Sequence, residues 1–226
     1  MQNSNVPIQV LAQKIKTASP ALGSNERQLA VKLYRLLGEG KPVSPRRLAR
    51  AINLPETRIL EILGSWPGVY YDGEGSVIGF WGLALGEMPQ RFEVDGRTLY
   101  TWCAWDSLFI PDLLGKTARV SSADPVTKEK ISLVVGPDGI KAITPATTVV
   151  SFLTPDRPFD QDVIMSFCHF VHFFASPESA KKWTTEHPGT FQLSVDDAWA
   201  LGQVMNQRKA EDAVRSDTGS QPDPGR

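Results

Sequence analysis

The sequence predicts an α+β fold in which an N-terminal winged-helix-like helical domain is followed by a mostly antiparallel β-sheet domain flanked by helices. Three observations predict it. Short amphipathic helices fill residues 24–63, one hairpin follows them, and short apolar strands separated by Gly, Pro and Asp begin at Pro89. Hydrophobic residues make up 41% of the 226 positions, so the chain can bury a core.

The helical part contains three predicted helices. Residues 24–37 place leucines on one stripe, Ser44 followed by Pro45 is typical of a helix start, and Pro55 starts the third helix. A hairpin over residues 69–83 follows them. Three short helices and a hairpin are typical of a winged helix.

A winged helix usually binds DNA, and its third helix should then carry several side chains that read base edges. Here that helix offers Arg58 between Glu56 and Glu61. The chain has 24 basic and 25 acidic residues, and its net charge of -1 excludes a highly basic nucleic-acid-binding protein. We therefore expect a scaffold domain and no nucleic-acid partner, with DNA binding as the minority alternative.

The second part of the chain predicts a β-sheet with helices between the strands. A hairpin turns at Asp95–Gly96 and leads to Cys103, and a helix over residues 104–114 ends at Gly115. The other predicted elements are strands at 117–122, 130–135, 147–153 and 163–174, and helices that start at Ser176 and Ser194.

Changes in composition place the predicted domain boundaries. Residues 1–23 are an N-terminal extension, 24–88 the winged-helix-like domain, and 89–206 the domain that carries the candidate chemistry. Residues 207–226 are charged, rich in small residues and contain proline, so they are predicted to be a disordered tail.

The N-terminus and the cysteine count indicate the compartment. The first residues lack a signal-peptide pattern, and no stretch approaches 18 uninterrupted apolar residues, so we expect a soluble cytoplasmic protein without a membrane partner. Two cysteines, Cys103 and Cys168, with three histidines exclude a disulfide-stapled scaffold and an array of zinc fingers. Because cytoplasmic thiols stay reduced, a catalytic or metal-binding role is favoured over a structural bridge.

The first candidate site lies at the predicted junction of strand and helix. If the helix starts near Cys103, the spacing of three residues puts the Cys103 thiol and the Asp106 carboxylate on one face, and the helix N-terminus favours the thiolate. A nucleophile and a proton carrier would then be neighbours. Taken alone, however, a Cys-x-x-Asp motif is more often a small buried cysteine beside a helix-start aspartate.

The second candidate site is the predicted strand 163–174. On a strand, Cys168, Phe170 and His172 share one face and His169 lies on the other. Core packing is the default role of such a cysteine. A histidine on each face of so apolar a strand nevertheless needs a hydrogen-bond partner or a site.

Two other chemistries have a suitable inventory of side chains. Cys103, Cys168, His169 and His172 are possible zinc ligands, but adjacent residues on a strand point to opposite faces. A cysteine hydrolase with Cys103 as nucleophile and His172 or His187 as base is also open, and it leaves Cys168 unexplained. A Ser-His-Asp triad lacks its Gly-x-Ser-x-Gly turn.

Two longer blocks are more specific than these motifs. Residues 99–122 (LYTWCAWDSLFIPDLLGKTARVSS) and 166–176 (SFCHFVHFFAS) resemble the alkylmercury lyase, or organomercurial lyase, family and hold both cysteines in register. Shorter stretches resemble the same family in the same order, at residues 38–44, 77–83 and 198–203. The resemblance covers roughly residues 25–206.

The resemblance implies cleavage of carbon–mercury bonds by protonolysis to a hydrocarbon and Hg(II), in mercury detoxification and without a cofactor. It implies that Cys103, Asp106 and Cys168 are the catalytic and mercury-binding residues. Two soft thiolates would bind mercury, and the aspartate would relay protons as an acid–base group.

The resemblance also implies a pocket and partners. Trp102, Trp105, Phe170 and His172 would surround the organic group of the substrate. The implied partners are an organomercurial small molecule, cellular thiols, and a mercuric reductase that accepts Hg(II).

The chain departs from well-known family members at two places. Some members have adjacent cysteines where this chain has Cys168 and His169, and a further cysteine near the predicted strand 117–122 is replaced by Ala123–Asp124. These differences concern accessory mercury handling rather than catalysis. An alternative of another class is a non-catalytic soft-metal sensor or carrier, which binds mercury through both cysteines and does not need Asp106.

Overall fold

The structure is a computed structural model that describes residues 7–217, with side chains described as far as Asn206. The helices are α1 (Ile8–Ala18), α2 (Ser24–Leu37), α3 (Pro45–Ile52), α4 (Glu56–Ser65), α5 (Asp106–Leu114), α6 (Val163–Ser166), α7 (Pro177–Glu186) and α8 (Val195–Asp217). The strands are β1 (Val69–Tyr71), β2 (Val77–Phe80), β3 (Leu83–Ala84), β4 (Gln90–Val94), β5 (Arg97–Thr101), β6 (Ala118–Ala123), β7 (Lys130–Gly136), β8 (Gly139–Thr144), β9 (Val149–Leu153), β10 (Phe173–Phe174) and β11 (Thr190–Ser194).

The strands form two sheets. One has eight strands in the order β1-β2-β3-β5-β4-β6-β7-β8, and the other has three in the order β10-β9-β11. Each pairing among these strands is antiparallel. The predicted combination of helices with a mostly antiparallel sheet is confirmed.

The N-terminal helices begin close to the predicted positions. At the start of α3, the hydroxyl of Ser44 accepts a hydrogen bond from the N–H of Arg47 (3.2 Å), and Pro45 occupies the first turn. Helix α2 buries its leucine stripe and packs against α5 and β2. The helical part therefore shares a core with the elements that follow it.

The hairpin β1–β2 is part of the larger sheet. Strand β2 pairs with β3, and β3 pairs in turn with β5, so the sheet crosses the predicted domain boundary between residues 88 and 89. The division of the chain into domains stays a prediction.

Both ends of the described chain are helical. Helix α1, inside the predicted extension, buries Leu11, Ala12 and Ile15 and packs against α8. Helix α8 covers residues 207–217 of the predicted tail, and residues 218–226 lie outside the described part. Among the helices between residues 7 and 217, none combines the length and the apolar character that crossing a bilayer requires.

The predicted strand at 163–174 is wrong. This segment contains α6, a single-turn 3₁₀ helix at Cys168–Phe170, and the two residues of β10. The side chain of Ser151 in β9 satisfies main-chain groups of this segment that a neighbouring strand would otherwise bind. Its hydroxyl donates to the carbonyl of Phe170 (2.8 Å) and accepts from the N–H of His172 (2.9 Å). A short apolar run does not distinguish these conformations in the sequence.

A buried carboxylate joins the two sheets. Asp124, at the end of β6, is 0% exposed. Its Oδ1 accepts hydrogen bonds from the N–H groups of Val126 (2.8 Å) and Thr127 (3.0 Å) and from the Ser179 hydroxyl (2.8 Å), and its Oδ2 accepts from the N–H of Ala175 (2.9 Å). Burial raises the pKa of Asp124, but these hydrogen bonds together lower it more, so its pKa lies below the ordinary value.

Asp124→Asn should destabilise the fold, because the new amide group places an N–H donor opposite one of the backbone N–H groups. We expect the free energy of unfolding to fall by about 2 kcal/mol, measured by urea denaturation followed by tryptophan fluorescence. The matched control is Asp95→Asn, which removes an exposed carboxylate that pairs with Lys116 and should change stability by less than about 1 kcal/mol.

The same measurement has a pH dependence. Because the pKa of Asp124 is lowered in the folded protein, its stabilisation is present above the ordinary carboxyl pKa and is lost as pH falls through the folded pKa. The difference between wild type and Asp124→Asn should therefore shrink in acid. Equal stability of the two proteins at neutral pH would contradict this role.

Candidate active site

Cys103 and Asp106 are joined by the backbone at the start of α5. The helix begins at Asp106, with Trp105 as its N-cap, two residues after the start of the predicted helix 104–114. The predicted proximity nevertheless holds, because the N–H of Cys103 donates to Oδ2 of Asp106 (2.9 Å). The carboxylate occupies the N-terminus of the helix, where a negative charge is stabilised.

Buried hydroxyl groups hold the loop that carries Cys103. The hydroxyl of Thr101 donates to the carbonyl of Cys103 (3.1 Å) and lies 2.7 Å from the hydroxyl of Ser107. Thr101 and Ser107 are both 0% exposed. These contacts leave the Cys103 backbone little freedom relative to α5.

A backbone hydrogen bond connects the Cys103 loop to the Cys168 segment. The N–H of Ala104 donates to the carbonyl of Val171 (3.1 Å), and the N–H of Val171 donates to the carbonyl of Cys168 (3.1 Å). The contacts of Ser151 fix the same segment from the side of β9. Two cysteines that lie far apart in the sequence are thus brought together by main-chain contacts.

The two thiols and the carboxyl group form one cluster. The sulfur atoms of Cys103 and Cys168 and a carboxylate oxygen of Asp106 all lie within 4.8 Å of one another. The exposed fractions of the three residues are 1%, 5% and 6%, in that order, and both cysteines are free thiols. Two sulfur ligands and one oxygen ligand at this spacing can bind a single soft metal ion.

Burial controls the protonation of the cluster. Burial raises the pKa of the Cys103 thiol well above its ordinary value, and the hydrogen bond with Cys168 and the charge of Asp106 raise it further. For Cys168 the hydrogen bond with Cys103 lowers the pKa, but burial and the charge of Asp106 outweigh it, so the pKa of this thiol is also raised.

The carboxyl group of Asp106 has a raised pKa. Burial raises the pKa of Asp106 to about 7, although hydrogen bonds from the thiol and the N–H of Cys103 oppose the rise. The free protein therefore holds two protonated thiols beside a carboxyl group that exchanges its proton near neutrality. Whatever the helix N-terminus contributes in favour of the Cys103 thiolate, burial outweighs it, because the pKa of this thiol is raised.

A cavity of about 530 Å³ opens onto the cluster. Cys168 and Asp106 line it, whereas Cys103 is not among the described lining residues. Aromatic side chains form much of the wall (Tyr34, Trp66, Phe80, Trp81, Trp102, Trp105, Phe109, Phe159 and Phe167), and Lys16, Arg27 and Asn206 are among the charged and polar residues that also line it. Because apolar surface predominates in the wall, the cavity suits a small organic ligand.

Of the four predicted pocket residues, Trp102 and Trp105 line the cavity, and Phe170 and His172 do not. His172 lies with its ring against Trp183 and hydrogen-bonded to the carbonyl of His169 (2.7 Å). The prediction that Phe170 and His172 line the pocket depended on the alternating faces of a strand, and this segment does not form a strand at these residues. Among the described residues, the zinc ligand set does not form a cluster, and the rings of His172 and His187, the two candidate bases, are hydrogen-bonded to the carbonyls of His169 and Trp183.

Several cavity residues were not predicted from the sequence. Ile15 of α1, Tyr34 of α2 and the turn Trp81–Gly82 lie on its wall, all from outside the domain predicted to carry the chemistry. Phe159 also lines the cavity, and the N–H of this residue donates to the carbonyl of Ala18 (2.7 Å). Their positions result from tertiary packing, for which a single sequence contains no periodic signal.

Comparisons with known proteins identify the family of this chain. Residues 83–207 match the family model of alkylmercury lyase. An alkylmercury lyase of Pseudomonas putida is 45% identical over 188 residues, which is 83% of this chain and 87% of the relative. This chain belongs to the alkylmercury lyase family.

Other family members give the same result. An alkylmercury lyase of Streptomyces lividans is 39% identical over 88% of this chain and 92% of its own length. The fold is similar to that in the crystal structure of the mercury-bound form of MerB2, with a TM-score of 0.71, 20% sequence identity, and coverage of 89% of this chain and 98% of that one.

The shifted pKa values of the cluster predict late ionisation of the thiols. In the metal-free protein, thiolate absorbance near 240 nm should appear above the range of an ordinary thiol, which ionises near pH 8.5. Asp106→Asn should move this absorbance to lower pH, because the charge of Asp106 raises the pKa of both thiols. Asp138→Asn, at an exposed turn, is the control and should leave the titration unchanged. Strong thiolate absorbance at pH 7 in the wild type would contradict this description.

Proposed function

We propose that this protein is an alkylmercury lyase, an enzyme that cleaves carbon–mercury bonds by protonolysis and releases a hydrocarbon and Hg(II). The observation that carries the proposal is the convergence of Cys103, Cys168 and Asp106 in a buried cluster, of which Cys168 and Asp106 line a largely apolar cavity. Membership of the alkylmercury lyase family supports the same reaction.

The first step is an exchange of thiols on mercury. Cys168 lines the cavity and therefore meets a thiol-bound organomercurial before Cys103 does. Its sulfur forms a bond to mercury while the bond from mercury to the incoming thiol breaks. The proton of the Cys168 thiol passes to the leaving thiolate, which departs as a free cellular thiol.

The second step uses the carboxylate as a base. Cys103 gives its proton to Asp106, with which it is hydrogen-bonded, and the resulting thiolate becomes the second sulfur ligand of mercury. Two thiolates increase the electron density on the metal, and the attached carbon gains carbanion character. A carboxyl group with a pKa of about 7 is suited to accept this proton and release it again.

The third step breaks the carbon–mercury bond. Asp106 donates its proton to the carbon, the electron pair of the bond goes to the new C–H bond, and the hydrocarbon leaves. Hg(II) stays with the two thiolates. The two thiol protons are then accounted for, one on the released thiol and one on the hydrocarbon, so we propose that the reaction needs no cofactor.

The aromatic part of the cavity wall favours organic substituents, and the burial of Cys103, Cys168 and Asp106 limits the access of water to the cluster. Trp102 and Trp105 belong to its wall, where apolar surface can contact the alkyl or aryl group. Exclusion of water matters because a dry site strengthens the interactions of the charged intermediates.

The product has to leave by a further thiol exchange. Two buried thiolates hold Hg(II) strongly, so its release requires competing thiols that reach the cavity. We propose that cellular thiols or a mercuric reductase accept it, in a cytoplasmic detoxification sequence.

We further infer that the winged-helix-like segment is a scaffold for the cavity. Helices α2 to α4 and the hairpin β1–β2 pack into the common core, and Tyr34 of α2 lines the cavity. In α4, Arg58 is paired with Glu61 (3.0 Å) rather than presented among other basic side chains. These contacts support a structural role without a nucleic-acid partner.

The activity is tested with phenylmercury and an excess of thiol, by measuring benzene. Cys103→Ala and Cys168→Ala should each abolish turnover while circular dichroism shows an intact fold. Asp106→Ala should still bind mercury but turn over about 10²–10⁴-fold more slowly, the usual contribution of a general acid–base group. Asp138→Ala, an exposed position, should behave as wild type.

Two results would contradict the proposal in different ways. Stoichiometric mercury binding without benzene would favour the non-catalytic carrier. Full activity of either cysteine variant would exclude the scheme with paired thiolates.

A further inference from the structure

A two-residue turn between β2 and β3 covers the carboxyl group of Asp106. Phe80 pairs with Leu83, so the loop consists of Trp81 and Gly82. Both have positive φ, 34° and 98°, as a type I′ turn requires. Positive φ is a strained conformation for a residue as bulky as tryptophan, and such strain is found where surrounding contacts impose it.

Gly82 lies against Asp106 with no space for a side chain. A Cβ atom at position 82 would lie 2.5 Å from both Cγ and Oδ1 of Asp106, and 2.9 Å from its Cβ. On its other side, the carboxylate is held through Oδ2 by the N–H of Cys103 (2.9 Å). The turn and the Cys103 backbone thus enclose the carboxyl group between them.

Tyr34 holds the turn in place. Its hydroxyl donates to the carbonyl of Trp81 (2.6 Å), and the residue is 3% exposed. The N–H of Trp81 donates to the carbonyl of Gly68 (3.1 Å), and the N–H of Trp102 donates to the carbonyl of Gly82 (3.0 Å). The N–H and the carbonyl of Trp81 and the carbonyl of Gly82 therefore all have hydrogen-bond partners. Among these partners, the Tyr34 hydroxyl is the one that belongs to a side chain.

We propose that Tyr34 and Gly82 are positioning residues for the proton transfer by Asp106. Tyr34 locks the turn, and Gly82 leaves the space in which the Asp106 carboxyl group faces Cys103 and Cys168. The inference rests on the proposed lyase activity. Neither residue binds mercury or exchanges a proton with the substrate, so both act through Asp106.

The consequence is a division between mercury binding and bond cleavage. The hydrogen bonds of Thr101, Ala104 and Ser151 that hold the two cysteine segments do not involve the turn and remain when it is disturbed, although the N–H of Trp102, next to Cys103, binds the carbonyl of Gly82. A disturbed turn should therefore leave the thiol pair intact and displace the carboxyl group. For ordinary van der Waals contact with a methyl group at position 82, that displacement is about 1 Å, enough to cost about 100-fold in rate.

The experiment measures single-turnover release of benzene from phenylmercury, together with KM and the stoichiometry of bound Hg(II). Tyr34→Phe removes the hydroxyl alone and should slow benzene release about tenfold, as the loss of one buried hydrogen bond can. Gly82→Ala should slow it about 100-fold. In both variants, KM and the retention of one Hg(II) per chain should stay as in wild type.

Matched controls separate these effects from general loss of stability. Tyr71→Phe changes an exposed tyrosine, and Gly86→Ala adds a methyl group with no atom within 4 Å, so both should release benzene at the wild-type rate. Thermal unfolding of each variant sets an assay temperature at which it is folded. If Gly82→Ala does not fold, Tyr34→Phe still decides the question.

A double-mutant cycle with Asp106→Ala gives the deciding readout. If Tyr34 acts through the carboxyl group, Tyr34→Phe should cause no further loss of rate in the Asp106→Ala protein. The same tenfold loss in both backgrounds, or a parallel loss of Hg(II) retention, would show a general structural role and overturn the inference. Wild-type rates in both Tyr34→Phe and Gly82→Ala would also overturn it.

The experiment distinguishes a wrong lyase proposal from a wrong inference about Tyr34 and Gly82. If the wild-type protein releases no benzene, the lyase proposal is wrong and this inference falls with it. If the wild type is active and the variants are unaffected, the inference alone is wrong.

Discussion

Burial of a carboxyl group beside two thiols is the condition on which this structure depends. An ionised group in a dry site is costly unless hydrogen bonds compensate for the lost water. In this cluster the main-chain N–H of Cys103 binds one oxygen of Asp106, and the raised pKa values keep most of the charge neutralised. The site thus stores two or three protons next to the position where a soft metal would bind, and it loses them as the thiolates take up that metal.

This condition explains why the surroundings are so rigid. The loop of Cys103, the segment of Cys168 and the turn over Asp106 come from three separate parts of the chain, and each is held by buried hydroxyl or main-chain hydrogen bonds. Small errors in their relative positions would expose the carboxylate or separate the sulfur atoms. The N-terminal helices belong to the same design, because α2 supplies the hydroxyl that holds the turn and α1 closes part of the cavity wall.

Local patterns in the sequence predicted much of the fold. Helix caps such as Ser44 and Ser176, the two hairpins, and the spacing of Cys103 and Asp106 were sufficient, because each depends on neighbouring residues. Failures occurred where tertiary contacts decide the conformation. The hydroxyl of Ser151 binds the main chain of the segment after Cys168, which does not form an extended strand. The positions predicted for Phe170 and His172 depended on that strand and were therefore wrong. Strands β8 and β11 and helix α1 were not predicted either, since their sequences lack strong alternation or a clear cap. The resemblance to the family located the three residues of the cluster, but neither it nor any local pattern indicated that a glycine turn from the preceding hairpin would lie against Asp106.

The tryptophans in the cavity wall also provide an intrinsic fluorescence signal close to the site. Four of the six tryptophans, Trp66, Trp81, Trp102 and Trp105, line the space that leads to the cluster. A heavy atom close to an indole ring promotes intersystem crossing and quenches its fluorescence. Mercury bound at the cluster is therefore expected to quench the emission of the unlabelled protein, so that binding and release of the metal can be followed by fluorescence.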